Sequence, residues 1–150
     1  MIKIRKMRRE DCPAVHRLQC QCFSVPWSYE SIEGMIANHS YHNYVAFYED
    51  RLIGYIGMLA AADEADITNV AVDENLRRRG IGRKLLHYLT KKAGQKNINR
   101  IFLEVRRYNE AAVGLYEQAG FCQIDIRKDY YTSPREDALI MMWAAENPEN

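Results

Sequence analysis

The segment from residue 65 to residue 93 constrains the fold more than any other part of this 150-residue chain. Its first part, Ala65 to Val72, is rich in β-branched and apolar residues and predicts a strand. From Ile81 onward, leucines recur at helical spacing and predict an amphipathic helix. The run from Arg77 to Gly82 lies between them. The segment therefore predicts a strand, a glycine loop and a helix in succession.

The glycine loop has the composition of an anion site. Gly80 and Gly82 tolerate unusual backbone dihedrals, so several N–H groups can converge on one ligand. The helix that follows adds its positive N-terminal end. Taken alone, the loop has a simpler interpretation, in which two glycines turn the chain beside solvated arginines.

The spacing around the loop argues against two common nucleotide motifs. A dinucleotide fingerprint needs its first glycine directly after the strand and a third glycine later, whereas Val72 ends the strand well before Gly80 and Leu85 occupies the third position. A P-loop needs Gly-Lys-Ser or Gly-Lys-Thr, and Gly82 is followed by Arg83 and Lys84. Dinucleotide binding and nucleoside triphosphate hydrolysis are therefore disfavoured.

The other predicted elements alternate along the chain. Polar caps at Asp11 and Ser28 begin two helices, and Gly120 ends a later one. Strands are predicted at residues 2–6, 44–48, 52–59, 65–72, 101–105, 122–131 and 137–144, with further helices from 81 and over 112–119. We predict one α/β (α+β) domain over residues 1–150, a mixed, mainly antiparallel seven-stranded sheet with helices on both faces.

Charge and hydropathy limit the partners and the location. The 21 basic and 20 acidic residues give a net charge of +1 and no broad positive field, so we expect no direct contact with nucleic acid. Apolar runs are far shorter than the roughly 20 residues that span a bilayer. Lys3 and Arg5 stand where a secretory signal would be apolar, which predicts a cytoplasmic protein. The cysteines and histidines lack metal-ligand spacing, so we expect no metal.

The order of elements around the loop resembles the GNAT superfamily of acetyl-CoA-dependent N-acetyltransferases. The superfamily pattern is Gln or Arg, two residues, Gly, one residue, then Gly or Ala, and Arg77, Gly80 and Gly82 match it. The preceding residues 67–73 resemble its bulged fourth strand. The resemblance implies a single GNAT-like domain with acetyl-CoA as co-substrate. The residues it assigns to the co-substrate are Val70, Ala71, Val72, Arg77, Arg78, Arg79, Gly80, Ile81, Gly82, Arg83 and Asn109, the last of which could equally cap the following helix.

Within the superfamily, the chain is similar to the RimI type, the ribosomal-protein alanine N-acetyltransferases. The shared segments are Pro26-Trp27-Ser28, Leu103 to Arg106 with Asn109, Leu115 to Glu117 with Gly120-Phe121, and Tyr130-Tyr131 before Glu136 to Ala138. Tyr108 departs from the pattern, which has a small residue there. The resemblance implies an acceptor that is the N-terminal α-amine of a protein, most notably a ribosomal protein that begins with alanine.

The same resemblance implies catalytic roles. Glu104 corresponds to a general base acting directly or through an ordered water, with a charge on a polar sheet face as the alternative. Tyr116 resembles the tyrosine that protonates the departing CoA sulfur, with a core aromatic as the alternative. A backbone N–H at Val70 or Val72 would stabilise the oxyanion. The residues around the acceptor N-terminus would be Trp27, Tyr130 and Tyr131, with ordinary core packing as the alternative.

Two other classes of function stay open on the sequence. The acceptor could be a small-molecule amine, a different protein N-terminus or a lysine, and the chain could be a degenerate module that binds acyl-CoA without turnover. No cysteine or serine lies in a nucleophile elbow or beside a plausible histidine partner, so direct attack by the amine is expected.

Overall fold

The computed structural model describes residues 1–145, which form one sheet of seven strands with four α-helices. Residues 146–150 of the predicted domain lie outside the described part of the chain. Within residues 1–145 no helix is both long and apolar enough to cross a membrane. The elements are β1 (Ile2–Lys6), α1 (Cys12–Cys22), α2 (Tyr29–Ala37), β2 (Tyr41–Tyr48), β3 (Arg51–Ala61), β4 (Glu64–Val72), α3 (Ile81–Gln95), β5 (Arg100–Arg106), α4 (Glu110–Gln118), β6 (Cys122–Thr132) and β7 (Arg135–Ala144).

The sheet order is β1-β2-β3-β4-β5-β7-β6. Among these described strands, β4 and β5 form the parallel pair and the other neighbours are antiparallel. A parallel pair needs a crossover connection, which α3 supplies between β4 and β5. The prediction of a mixed, mainly antiparallel seven-stranded sheet is confirmed.

One face of the sheet is covered by α3 and α4. Leu85, Leu86 and Leu89 of α3 are fully buried in a cluster that includes Ile56 of β3. Burial of each leucine stabilises the fold by about 1.5–3 kcal/mol. The amphipathic pattern that predicted α3 is therefore the pattern that fixes it to the sheet.

The opposite face is covered by α1 and α2. Val15 of α1 and Ile32 of α2 are buried in a second cluster with Val45 and Tyr55 of the central strands. Neighbouring residues on β2 alternate between the two clusters, as strand geometry requires. Helices on both faces are therefore confirmed.

The predicted caps have different outcomes. The Ser28 hydroxyl accepts a hydrogen bond from the Ser31 N–H at 3.1 Å, which confirms it as the cap of α2. Asp11 was expected to cap α1, and this prediction is wrong, since its carboxylate makes no capping hydrogen bond to that helix. It accepts instead from the Arg8 N–H at 2.7 Å and from the Arg5 guanidinium at 2.8 and 2.9 Å. A short 3-10 turn precedes α1 and turns the carboxylate back toward β1.

The end of α4 matches its prediction. Gly120 has a φ of 100°, a left-handed conformation that favours glycine. Its N–H donates to the Glu117 carbonyl at 3.0 Å, and the Phe121 N–H donates to the Tyr116 carbonyl at 3.0 Å. These two bonds satisfy carbonyls at the helix end, so Gly120 closes α4 as predicted.

Candidate active site

The sheet is interrupted between β4 and β5. The two strands pair from Glu64↔Arg100 only as far as Asp66↔Phe102. Beyond that point β4 continues to Val72 against β3, and β5 continues to Arg106 against β7. We call the gap between the separated halves the β4–β5 opening. An extended ligand could pair with the edge of β4 here as an added strand, and the predicted Val70, Ala71 and Val72 all lie on that stretch.

A bulge in β4 lies where the strands separate. The register against β3 passes from Gly57↔Asn69 to Met58↔Ile67, so Thr68 is the extra residue. A bulge bends its strand and increases the local twist, which turns β4 away from β5. Glycine is required opposite the bulge, since a Cβ at Gly57 would lie 2.6 Å from the Tyr55 hydroxyl and 2.9 Å from Thr68 Oγ1. The bulged fourth strand implied by the sequence is therefore present.

The glycine loop presents backbone donors at the start of α3. Arg78 and Gly80 have φ values of 66° and 78°, both in the left-handed region. Backbone turns of this kind gather successive N–H groups into a concave anion site. Gly80 is the N-cap residue of α3 and supplies no side chain to bond the free N–H groups of the first turn. The start of α3 therefore fits a pyrophosphate.

Four arginines surround these donors without protein partners. Arg77, Arg78, Arg79 and Arg83 are exposed, and none of them forms an ion pair within residues 1–145. Arg83 lies in the first turn of α3, where a cation opposes the helix dipole. Unpaired cations at the positive end of a helix favour a bound anion.

Two residues position α4 beside the loop. A Cβ at Gly82 would lie 3.2 Å from Leu115 Cδ2, so the glycine lets α3 approach α4 closely. The Asn109 side-chain oxygen accepts from the Ala112 N–H at 3.2 Å, which makes Asn109 the cap of α4. The capping interpretation of Asn109 is confirmed, and its contact with the co-substrate stays a prediction.

Glu104 borders the opening on the face away from α3. Its neighbours Leu103 and Val105 are buried against the α3 side, so alternation places Glu104 on the opposite face. It lies on β5 beyond Asp66↔Phe102, the last pair shared with β4. The carboxylate is exposed and has no ion-pair partner among the described residues. No cation within residues 1–145 therefore neutralises this carboxylate.

Three other groups respond to the charge of Glu104. Hydrogen bonding to Glu104, together with its charge, raises the pKa of Tyr130. Burial raises the pKa of Tyr131, and the Glu104 charge raises it further. Burial and the same charge raise the pKa of Asp66. The structure thus brings the predicted Tyr130 and Tyr131 to Glu104 and adds Asp66, which the sequence did not identify.

Tyr116 has the contacts of the core-packing interpretation, and its role as a proton donor stays a prediction. Its ring packs against the core beside α3 and lies edge-on to Phe121, with the ring centroids 6.0 Å apart. Burial, with a further contribution from Tyr131, raises the pKa of Tyr116 to about 12. The hydroxyl therefore keeps its proton at neutral pH and lies near enough to Tyr131 to respond to its charge.

Trp27 lies in the loop between α1 and α2. Its backbone N–H donates to Gln19 Oε1 at 3.0 Å, and its ring lies edge-on to Tyr41 with centroids 6.3 Å apart. The side chain packs against the α1–α2 core cluster. These contacts agree with the interpretation that Trp27 packs in the core. A role for Trp27 at the acceptor stays a prediction.

Arg106 was given no role from the sequence, yet it contacts the predicted site residue Tyr131 and the β6–β7 turn. Its guanidinium lies 4.2 Å from the ring centroid of Tyr131 and donates to the Ser133 and Pro134 carbonyls at 3.2 and 2.9 Å. It also forms an ion pair with Glu136 at 3.3 Å. Arg106 therefore ties Tyr131 and the β6–β7 turn to β5. The sequence could have indicated this role, because Arg106 follows Glu104 by two residues and therefore lies on the same face of β5.

Comparison with known proteins agrees with this geometry. Residues 12–121 match the acetyltransferase (GNAT) family. The chain is 36% identical over 145 residues to a Bacillus subtilis (strain 168) protein that is provisionally named a ribosomal protein bS18-alanine N-acetyltransferase. The alignment covers 96% of this chain and 95% of that protein. The chain is 34% identical over 143 residues to the ribosomal protein bS18-alanine N-acetyltransferase of Escherichia coli (strain K12), covering 94% and 96%.

A solved structure shows the same architecture. The crystal structure of the ribosomal-protein-S18-alanine N-acetyltransferase from Escherichia coli superimposes with a TM-score of 0.90 at 32% identity, covering 100% of this chain and 98% of that one. Both the family match and these relatives span most of the chain. The protein is therefore a member of the acetyltransferase (GNAT) family, an N-acetyltransferase whose co-substrate is acetyl-CoA.

Proposed function

We propose that this enzyme transfers the acetyl group to the N-terminal α-amine of a ribosomal protein that begins with alanine. The observation that carries the proposal is the position of Glu104, an unpaired carboxylate at the β4–β5 opening beside Tyr130 and Tyr131. The relatives named as ribosomal protein bS18-alanine N-acetyltransferases support the choice of acceptor. We place an enzyme with this acceptor in the cytoplasm. We also propose that residues 1–150 form its single domain.

Glu104 serves as the general base. A peptide α-amine has a pKa of ~7.7–8.0, so much of it is protonated at neutral pH and a base of modest strength is sufficient. Glu104 takes this proton directly or through an ordered water. The neutral amine then attacks the acetyl carbonyl without an acyl-enzyme, since no serine or cysteine nucleophile was identified.

The β4 backbone and Tyr116 stabilise the two negative charges that develop during the reaction, one on the carbonyl oxygen and one on the departing sulfur. A backbone N–H at Val70 or Val72 on the open edge of β4 stabilises the oxyanion that develops on the carbonyl. Tyr116 donates its proton to the departing sulfur. Because a thiol has a pKa of ~8.5, the thiolate already leaves readily, and the tyrosine accelerates the step.

The co-substrate is bound by the loop and the first turn of α3. The arginines from Arg77 to Arg79, together with Arg83, neutralise its phosphates, while the N–H groups from Gly80 to Gly82 bond them. The open edge of β4 from Val70 to Val72 pairs with its extended arm. The bulge at Thr68 supports this assignment because it separates β4 from β5 at that point.

The test uses acetyl-CoA with a labelled acetyl group and three acceptors. These are a ribosomal peptide that begins with alanine, the same peptide blocked at its N-terminus, and a polyamine. We expect label on the first peptide alone. Label on the blocked peptide would contradict the α-amine assignment, and preference for the polyamine would indicate a small-molecule enzyme. Acetyl-CoA binding without label on any acceptor would indicate a module without turnover.

A further inference from the structure

Positive charge is segregated along the chain. Residues 77–99 contain eight lysines and arginines and no aspartate or glutamate. The rest of the chain therefore carries an excess of acidic residues, and the net charge of +1 hides the difference. The eight cations are Arg77, Arg78, Arg79, Arg83, Lys84, Lys91, Lys92 and Lys96.

Five of these side chains, Arg83, Lys84, Lys91, Lys92 and Lys96, lie along α3 and at its C-terminal end. Seven of the eight are exposed, and Lys92 is half-buried over the Tyr88 ring at 5.4 Å. None of the eight forms an ion pair in the part of the chain that the structure describes. A groove of ≈ 850 Å³ runs beside the helix, with Arg83, Lys84, His87 and Lys91 on its helix side and Ile2, Ile4 and Ala119 among its other lining residues. We call this surface, from Arg83 to Lys96, the basic face of α3.

The co-substrate does not account for the whole basic face. At 1.5 Å per residue, Lys91 and Lys96 lie about 14 Å and about 21 Å along the helix from Gly82, where the phosphates are expected. Stabilisation of the helix does not account for it either. Lys92 and Lys96 favour the C-terminal dipole, but they are four residues apart and repel each other, and Arg83 and Lys84 oppose the dipole at the other end.

The composition of this surface distinguishes among polyanions. The large apolar side chains that are exposed within residues 1–145 all lie outside α3 and its leading loop. A protein interface usually contains an apolar core, and a membrane-surface helix needs apolar anchors. Interfaces with nucleic acid are instead polar and strongly basic. We propose that the basic face of α3 binds the phosphate backbone of RNA.

The choice of RNA over DNA rests on the proposed function, because the proposed acceptor is a protein of the ribosome and the ribosome contains RNA. The position of the face agrees with a combined role. α3 covers one side of the sheet, whereas Glu104 points to the other. An RNA on α3 therefore leaves the acceptor side of the β4–β5 opening free. The prediction of no direct contact with nucleic acid rested on the net charge of the whole chain, which averages over this segregation.

The experiment measures binding of a fluorescent single-stranded RNA 20-mer and a DNA of the same sequence, with acetyl-CoA at saturation and over a salt series. The test variant is Lys91→Glu/Lys96→Glu. The matched control is Lys3→Glu/Arg17→Glu, which changes the charge equally at two exposed cations away from α3. Melting temperature and acetylation of a free peptide are measured for both variants.

We expect RNA affinity to fall about tenfold or more in the test variant, and the salt slope to decrease by about 0.7 per cation removed. The control variant should bind RNA as the wild type does, and free-peptide acetylation should be unchanged in both. Equal RNA affinity in test variant and wild type, or no RNA binding at low salt, would overturn the proposal. Equal loss in both variants would indicate a net-charge effect and would also overturn it. Failure of peptide acetylation with RNA binding intact would count against the proposed acceptor alone.

Discussion

The two sides of the β4–β5 opening are built in different ways. The proposed co-substrate side consists of consecutive residues, Arg77 to Arg83, and offers backbone N–H groups and unpaired cations. The proposed acceptor side gathers single side chains from distant strands, among them Asp66, Glu104 and Tyr131. The first site is a local property of one loop, whereas the second exists only when the sheet has its observed order.

This contrast has consequences for mutation. Changes on the acceptor side should alter turnover or acceptor affinity and leave acetyl-CoA binding intact. Changes in the loop should do the reverse. The largest effect is expected at the base.

Glu104→Gln should lower kcat/KM for an alanine-starting peptide by about 10²- to 10⁴-fold, the usual contribution of a general base. The loss should be greatest at lower pH, where more of the amine is protonated. Steady-state kinetics over a pH series measures it, with acetyl-CoA affinity determined by calorimetry. Glu117→Gln, the same change at an exposed site on α4, is the control. An unchanged pH profile in Glu104→Gln would remove it as the base.

Tyr116→Phe should lower kcat by about tenfold to a hundredfold and leave the affinity for acetyl-CoA unchanged. The effect is smaller because the thiolate leaves readily without help. Tyr108→Phe, at an exposed tyrosine, should have no effect on kcat. A rise in KM for acetyl-CoA without a fall in kcat would show that Tyr116 only packs.

The pH dependence of Tyr116 has a definite sign. Burial raises its pKa to about 12, above the ~10 of an unfolded tyrosine. The stability gained by keeping the phenol neutral is present below pH ~10 and is lost as the pH rises toward 12. Burial also raises the pKa of Tyr44 and Tyr55, so absorbance titration should count one fewer late-ionising tyrosine in Tyr116→Phe than in the wild type.

Arg106→Lys should raise KM for the peptide about two- to fivefold, which corresponds to an exposed cation–π contact of ~0.5–1 kcal/mol. A lysine keeps the charge but cannot both stack on Tyr131 and reach two carbonyls. Acetyl-CoA affinity should not change. Arg107→Lys, at an exposed arginine whose guanidinium pairs with half-buried Asp137, is the neighbouring control. A change in acetyl-CoA affinity in Arg106→Lys would contradict the proposal that the two sides of the opening bind their ligands independently.

The smallest effects are expected for stability. Gly80→Ala places a side chain at a φ of 78° and should cost about 1 kcal/mol of unfolding free energy while weakening acetyl-CoA binding. Gly34→Ala in the middle of α2 meets nothing within 4 Å and should gain about 0.5–1 kcal/mol. Denaturant unfolding distinguishes the two. A stable Gly80→Ala protein with normal acetyl-CoA affinity would contradict the role given to the loop.

The same contrast explains what the sequence could predict. The strands, the helices and the loop at Gly80 depend on neighbouring residues, so pattern and spacing identified them. The Ser28 and Gly120 caps were predicted for the same reason. Asp11 was misassigned because Arg5, on the neighbouring strand, competes for its carboxylate.

The acceptor side depended on contacts between distant residues. Arg106 and Glu136 are 30 residues apart and meet only because β7 lies beside β5. Asp66 reaches Glu104 only because β4 and β5 pair at their first residues. Glu104, Tyr130 and Tyr131 were identified through resemblance to a known family, which supplies the strand order that residue patterns alone lack.

The short pairing between β4 and β5 also gives a bound co-substrate a way to stabilise the fold. Three residue pairs join the sheet formed by β1 to β4 to the sheet formed by β5 to β7. An acetyl-CoA arm paired with β4 would extend the sheet across the gap. A ligand present at a hundred times its dissociation constant adds about 2.7 kcal/mol to stability. The supply of acetyl-CoA would then set the lifetime of the enzyme as well as its rate.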